Sequence, residues 1–243
     1  TFTEEGTYTF NINETVPQTP AGGMTYDSHT AQVTIDVTRD TKNIGKLKAE
    51  VTYDNGTDSS VTDKAVFANR YDASTEVTGG TKADISAKKT LHGRNLRAGE
   101  FQFKLTTKPA DGSNGTVLQE KQNGADGSIA FDSISYRTSD TAAGASAVVL
   151  DKAVEAGYAV KSSDTDGNTE YTLSYRIYED AENMTNSNGI SVVTGTYDFT
   201  VTVTDHGNGV LTAVTNYPAG KNQFEFVNQY GTEPVPVEIT GSK

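Results

Sequence analysis

"QFEFVNQY" (residues 223–230) decides the fold, because an asparagine stands in the register of its aromatic residues. Residues two apart on a half-buried strand share a face, so Phe224, Phe226, Asn228 and Tyr230 point one way. Gln223, Glu225, Val227 and Gln229 point the other. An inward asparagine is a buried carboxamide, costly unless it has partners. The ending recurs in "VFANRY" (66–71), where Phe67, Asn69 and Tyr71 share a face. Two asparagines in matching settings read as a repeated device.

Working outward, period-two stretches separated by Gly, Asn and Asp turns run along the whole chain, the pattern of a β-sandwich. They include "YTFNINE" (8–14), "QVTIDVT" (32–38), "KLKAEVTY" (46–53), "FQFKLTT" (101–107), "YTLSYRIYE" (171–179), "YDFTVTVT" (197–204) and "VLTAVTNY" (210–217). One helix is expected, over "VVLDKAVEAGYAV" (148–160), with Leu150, Ala153, Val154 and Tyr158 at helical spacing.

Stacking the strands exposes an internal repeat. Residues 8–71 run through Tyr-Thr-Phe-x-Ile-x-Glu, a Val/Ile strand, Gly-x-Leu-x-Ala and Phe-x-Asn-x-Tyr, and residues 171–230 follow the same order. Residues 82–137 have no counterpart in the first copy. The tail "VEITGSK" (237–243) matches "ADISAKK" (83–89), with Ile239, Gly241 and Lys243 on Ile85, Ala87 and Lys89. The expected organisation is therefore the C-terminal half of a domain over 1–73, a complete domain over 82–231 with an insertion at about 138–170, and over 232–243 a linker and the first strand of a following domain. "EPVPV" (233–237) is the stiff connector.

The 243 residues leave room for two ordinary domains. Asp and Glu number 32 against 20 Lys and Arg, a net charge of −12 that argues against a nucleic-acid partner. Zero cysteines exclude thiol catalysis, disulfides and thiolate metal sites. No apolar run is long enough to cross a membrane as a helix, so no membrane insertion of this segment is expected. No signal peptide, sorting sequence or anchor is visible, and the sequence reads as a mature or excised piece.

In "ISAKKTL" (85–91) the alternation aligns Ile85, Ala87, Lys89 and Leu91, so Lys89 rather than Lys88 faces inward. In "TLSYRIYE" (172–179) Leu173, Tyr175, Ile177 and Glu179 share a face. With Asn228, a lysine, a glutamate and an asparagine all point into one core. A lysine and a carboxylate in one dry pocket can share a proton and approach neutrality. A neutral amine is a nucleophile; beside a carboxamide it can attack the carbonyl carbon while the carboxyl group moves protons, releasing ammonia and leaving an amide crosslink. The bland reading is a snorkelling strand lysine, a strand-end carboxylate and a turn-proximal amide.

"AKKTLHGRNLRAGEFQFKL" (87–105), "GSIAFDSISY" (127–136), "YDFTVTVTDHGNGVLTAVTNYP" (197–218) and "FEFVNQY" (224–230) resemble the streptococcal-type pilin isopeptide-linkage domains, T-antigen and major-pilin-like, of Gram-positive surface proteins. That resemblance implies an all-β fold of immunoglobulin-like sandwich domains in tandem, with a spontaneous Lys-to-Asn bond between first and last strands. It puts the crosslink on Lys89 and Asn228 and the catalytic glutamate on Glu179. In the partial copy Glu14 and Asn69 are the equivalents, and Lys243 is the lysine of a following or neighbouring domain. The crosslink would carry tension around the sandwich and, unlike a disulfide, survive reduction.

The expected function is a structural stalk or shaft segment of a cell-wall fimbria or adhesin at the bacterial surface, with neighbouring domains or subunits as partners and no enzymatic turnover beyond its own crosslinking. A different reading is an adhesive module that binds a host protein or glycan through the 138–170 insertion. Other signals are set aside. "DTDGNTE" (164–170) has alternating acidic residues, but Gly167 is misplaced for a calcium loop and no helix pair flanks it. His29, His92 and His206 are scattered, so no metal and no cofactor is expected.

Overall fold

The computed structural model describes residues 1–56, 60–61, 63–140, 146–180, 189–232, 235–241 and 243. The chain divides into two compact units, Thr1–Asp72 and Ala73–Lys243. Residues 74–81, which the expected domains leave unassigned, belong with the second unit, as does Ala73, the last residue expected in the first. There Ser74 bridges Arg137 and Val210, and Thr81 bridges Thr212.

In the first unit β1 (Gly6–Asn13), β3 (Thr30–Arg39) and β4 (Leu47–Asp54) form an antiparallel sheet in the order β1-β3-β4. Short strands β2 (Met24–Thr25) and β5 (Arg70–Tyr71) pair separately. The register sets Phe10 opposite Val33 and Ile12 opposite Ala31, so these side chains share the apolar face.

The second unit contains β6 (Ser86–His92), β7 (Gln102–Thr107), β8 (Val117–Gln122), β9 (Ser128–Ala130), β10 (Tyr136–Arg137), β11 (Val148–Val149), helix α1 (Leu150–Glu155), β12 (Ala159–Ser163), β13 (Thr169–Glu179), β14 (Ile190–Thr194), β15 (Thr196–Asp205), β16 (Leu211–Asn216) and β17 (Phe224–Tyr230). Among the described residues, one sheet runs β16-β15-β13-β7-β8 with β12 also on β13, and the other runs β14-β17-β6-β9. The sheets face each other across an aromatic core. Phe103 lies 4.8 Å from Phe226 and Phe199 lies 4.7 Å from Phe224, ring centre to ring centre. Both pairs span the two sheets, which defines a sandwich.

Alternation explains the layers. In β15, Phe199, Val201 and Val203 are buried, whereas Thr200 and Thr202 face outward and accept from the Asn216 carboxamide at 2.9 and 3.0 Å. Arg176 and Asp198 sit directly opposite across β13 and β15 and pair through two hydrogen bonds of 2.6 and 3.0 Å, which hold the Asp198 carboxyl at a pKa of about 2.

The helix expected over 148–160 shrinks to Leu150–Glu155. Val148–Val149 pair in parallel with Tyr136–Arg137, and Ala159–Ser163 are taken by the free edge of β13. An open sheet edge outcompetes weak helical periodicity in so short a segment. Leu150 and Ala153 anchor the helix in the core. The insertion's residues 141–145 and the linker's 233–234 lie outside the described residues. Asp164 closes the 164–168 turn by accepting from the backbone of Asp166 and Asn168, each at 2.9 Å.

Candidate functional site

The first and last strands of the sandwich, β6 and β17, are parallel neighbours, with Lys89 opposite Phe226 and Asn228 opposite Leu91. Lys89 and Asn228 therefore project from adjacent strands into one core, offset by two residues. Glu179 ends β13 on the facing sheet, at the point where β13 pairs Phe103 of β7. The alternation that fills the core with Tyr171, Leu173, Tyr175 and Ile177 aims Glu179 into it.

The three polar groups meet. Lys89 Nζ donates to Glu179 Oε2 at 2.6 Å, and Asn228 Nδ2 donates to Glu179 Oε1 at 2.6 Å. The side chains of Lys89 and Glu179 are 0 and 1 % exposed, and Asn228 is fully buried, while Lys88 is exposed. Burial lowers the Lys89 pKa below the ordinary lysine value, and the Glu179 hydrogen bond and charge offset only part of this. The ammonium also lies 4.3 Å from the centre of the Phe101 ring.

Asn228 is unlike the other buried asparagines. Asn123 is satisfied at both ends: its Oδ1 accepts from the Phe101 N–H at 2.8 Å, and its Nδ2 donates to the carbonyls of Arg97 and Gly124 at 2.7 and 2.9 Å. Asn228 Oδ1 is buried with no hydrogen bond. Such an acceptor costs about 1–3 kcal/mol, a cost that marks Asn228 as more than a structural amide.

Phe101 and Gly127 complete the setting and are missed by sequence reasoning. Phe101 is visible only as an inward residue of "FQF"; its contact with Lys89 depends on strand pairing. Gly127 has φ +86°, and a Cβ there would lie 2.3 Å from the Lys89 carbonyl oxygen, while its own carbonyl accepts from the Lys89 N–H at 2.7 Å. We expect Gly127→Ala to destabilise the unit by about 1–3 kcal/mol. If it moves Lys89 by 1 Å, any reaction at the amine slows by about 10²-fold. A mass-resolved time course on freshly synthesised protein reads the rate, and an unchanged rate would show that this turn does not set the position of Lys89.

In the first unit Asn69 Nδ2 donates to Glu14 Oε1 at 2.6 Å, the contact that Asn228 makes with Glu179. Asn69 Oδ1 accepts from the Asp27 N–H at 2.9 Å. Sequence alternation places Asn69 on an inward strand face, but it is exposed, because only Arg70–Tyr71 of that stretch pair as a strand. Glu14 Oε2 is buried and has no hydrogen-bond partner. Lys243 is exposed.

The family described as FctA, Spy0128-like isopeptide containing domain, matches residues 1–72 and 85–231, and the chain belongs to that family. The family is structural and not one of enzymes. Among solved structures the chain is similar to the major pilin from Streptococcus pyogenes, at 12 % identity and a TM-score of 0.28 over 95 % of this chain and 72 % of that one. It is also similar to the T3.2 major pilin of Streptococcus pyogenes, at 15 % identity and a TM-score of 0.22 over 95 and 69 % of the two chains. No curated protein matches.

Proposed function

We propose that the chain is a shaft segment of a Gram-positive surface fimbria, whose second unit ties its own first and last strands with an amide bond between Lys89 and Asn228. The observation that carries this reading is Glu179 holding the amine on one oxygen and the carboxamide on the other, both at 2.6 Å.

Burial favours transfer of a proton from the Lys89 ammonium to Glu179, which leaves a neutral amine next to a carboxylic acid. Half a turn of the Asn228 carboxamide about its last bond brings Oδ1 to the acid, which then donates to it and makes the carbonyl carbon more electrophilic. Attack forms the Lys89 Nζ–Cγ bond and breaks the Cγ–Nδ2 bond of Asn228. Glu179 carries a proton from the attacking to the leaving nitrogen, and one ammonia departs. The groups are consumed in a single turnover.

The described part of the insertion supports a structural role, since α1 is anchored by buried Leu150 and Ala153 and β12 extends the main sheet. The test is intact mass in denaturant. The wild-type monomer is expected to weigh about 17 Da less than its sequence, the mass of one ammonia. Lys89→Ala and Asn228→Ala should each restore the sequence mass, and a wild-type monomer at its sequence mass would end this reading.

A further inference from the structure

We infer that Arg94 is a positioning residue for the Lys89–Asn228 bond, acting through Glu100: its guanidinium, forked onto Glu100 and laid over the Tyr230 ring, cancels the Glu100 charge beside the Lys89 pocket. The inference rests on the amide chemistry proposed for the second unit and names what keeps its nucleophile free.

Glu100 stands directly before Phe101, whose ring centre lies 4.3 Å from Lys89 Nζ. Tyr230 follows Asn228 by two residues on the same face of β17. Arg94 joins the two. Its Nη1 donates to Glu100 Oε2 at 3.1 Å, its Nη2 donates to Glu100 Oε1, and its guanidinium carbon lies 4.8 Å from the centre of the Tyr230 ring. The backbone puts it there. Gly93 has φ +93°, and a Cβ at that position would lie 2.2 Å from the Tyr230 carbonyl oxygen, so the chain turns against the end of β17 immediately before Arg94. Glu100 Oε2 also accepts from the Arg97 N–H at 3.2 Å. The side chains of Arg94 and Glu100 are 26 and 18 % exposed, too sheltered for water to screen Glu100 fully.

Two carboxylates act on the Lys89 amine, and they do opposite things. Glu179 is hydrogen-bonded to it and can take its proton, whereas Glu100 acts through its charge and can only favour the ammonium. The neutral Lys89–Glu179 pair and the ion pair hold the same number of protons, so the surrounding charges set the balance between them. An uncancelled Glu100 tips that balance to the ion pair, which does not react. The Arg94 hydrogen bond is the chief cause that holds the Glu100 carboxyl below the ordinary glutamate range, and Arg97 adds its backbone hydrogen bond and a weaker charge. The other elements packed around Lys89 bring no such charge. Strand β9 carries Ser128, Ile129 and Ala130, Lys104 of β7 is paired with Asp180 at 2.7 Å, and Glu225 of β17 is paired with Lys221 at 2.7 Å.

The test releases the full chain from stalled ribosomes into urea, so that it starts unfolded and without the bond. It is then diluted into buffers of differing pH, and the loss of ammonia is followed by intact mass. The wild type is expected to lose about 17 Da. Arg94→Gln should slow this loss about tenfold at neutral pH and displace the pH–rate profile upward by about one pH unit. Glu100→Gln breaks the same fork but leaves a cation instead of an anion, and should react no slower than the wild type. The Arg94→Gln, Glu100→Gln double variant removes both charges and should regain the wild-type profile, with a rate within about threefold of it. A bracket that only held the loop would make all three variants equally slow with an unshifted profile, and that result would overturn the inference. So would an Arg94→Gln chain that reacts like the wild type. A wild type that stays at its sequence mass would instead end the proposal of the bond itself, and since that measurement needs no substitution the two failures are distinct.

Discussion

Asn228→Ala is expected to lower the melting temperature of the second unit by about 10–20 °C. A crosslink between Lys89 and Asn228 closes a loop of about 140 residues and, on the chain-entropy model developed for disulfides, stabilises by about 5 kcal/mol. For a unit of this size each kcal/mol moves the melting temperature by about 2–4 °C. The substitution leaves the Lys89–Glu179 pair in place, so the shift reports the crosslink together with a small truncation cost. Scanning calorimetry alongside intact mass checks it. Wild type and variant melting together, with the wild type lighter by one ammonia, would show that the bond forms without stabilising the unit.

Glu179→Ala is expected to do more damage. It stops the bond and also leaves Lys89 in a sealed pocket without its counter-charge, a further loss of about 3–5 kcal/mol. This part depends on pH, and the sign follows from Lys89. Burial lowers its pKa in the folded unit, so between that lowered value and the ordinary one of about 10.4 the unfolded chain holds more protons than the folded one. Stability then rises with pH across that window and is least below it. Removing Glu179 removes the hydrogen bond and the nearer charge that raise the Lys89 pKa and leaves only the charge of Glu100, so the window widens downward. Urea titrations at several pH values should show this slope in Glu179→Ala and lose it in the Glu179→Ala, Lys89→Met double variant. A slope that persists in the double variant would assign the effect to another group.

Much of the fold was legible because its strands are strictly alternating. Period two in "YTLSYRIYE" and "QFEFVNQY" gives the faces of β13 and β17, and in "ISAKKTL" it distinguishes buried Lys89 from exposed Lys88. Side-chain direction is a local property of an extended chain, so it survives without knowledge of partners. What depends on partners was not legible. The approach of Gly127 to the Lys89 backbone and of Phe101 to its amine arises from residues brought together by pairing. Asn69 shows the converse, because its inward direction presumes a strand that only Arg70 and Tyr71 form. The expected helix is cut short for a related reason, since the edge of β13 recruits Ala159–Ser163.

The parallel alignment of β6 with β17 has a consequence for direction. The pair begins at Ala87 beside Phe224 and ends at His92 beside Gln229. The chain therefore enters at one pole of this pair and departs from the opposite pole. Had the same two strands run antiparallel, entrance and exit would share a pole and the polypeptide would double back. A unit wired as this one is transmits the chain onward, so its polarity is inherited by whatever is attached at its exit.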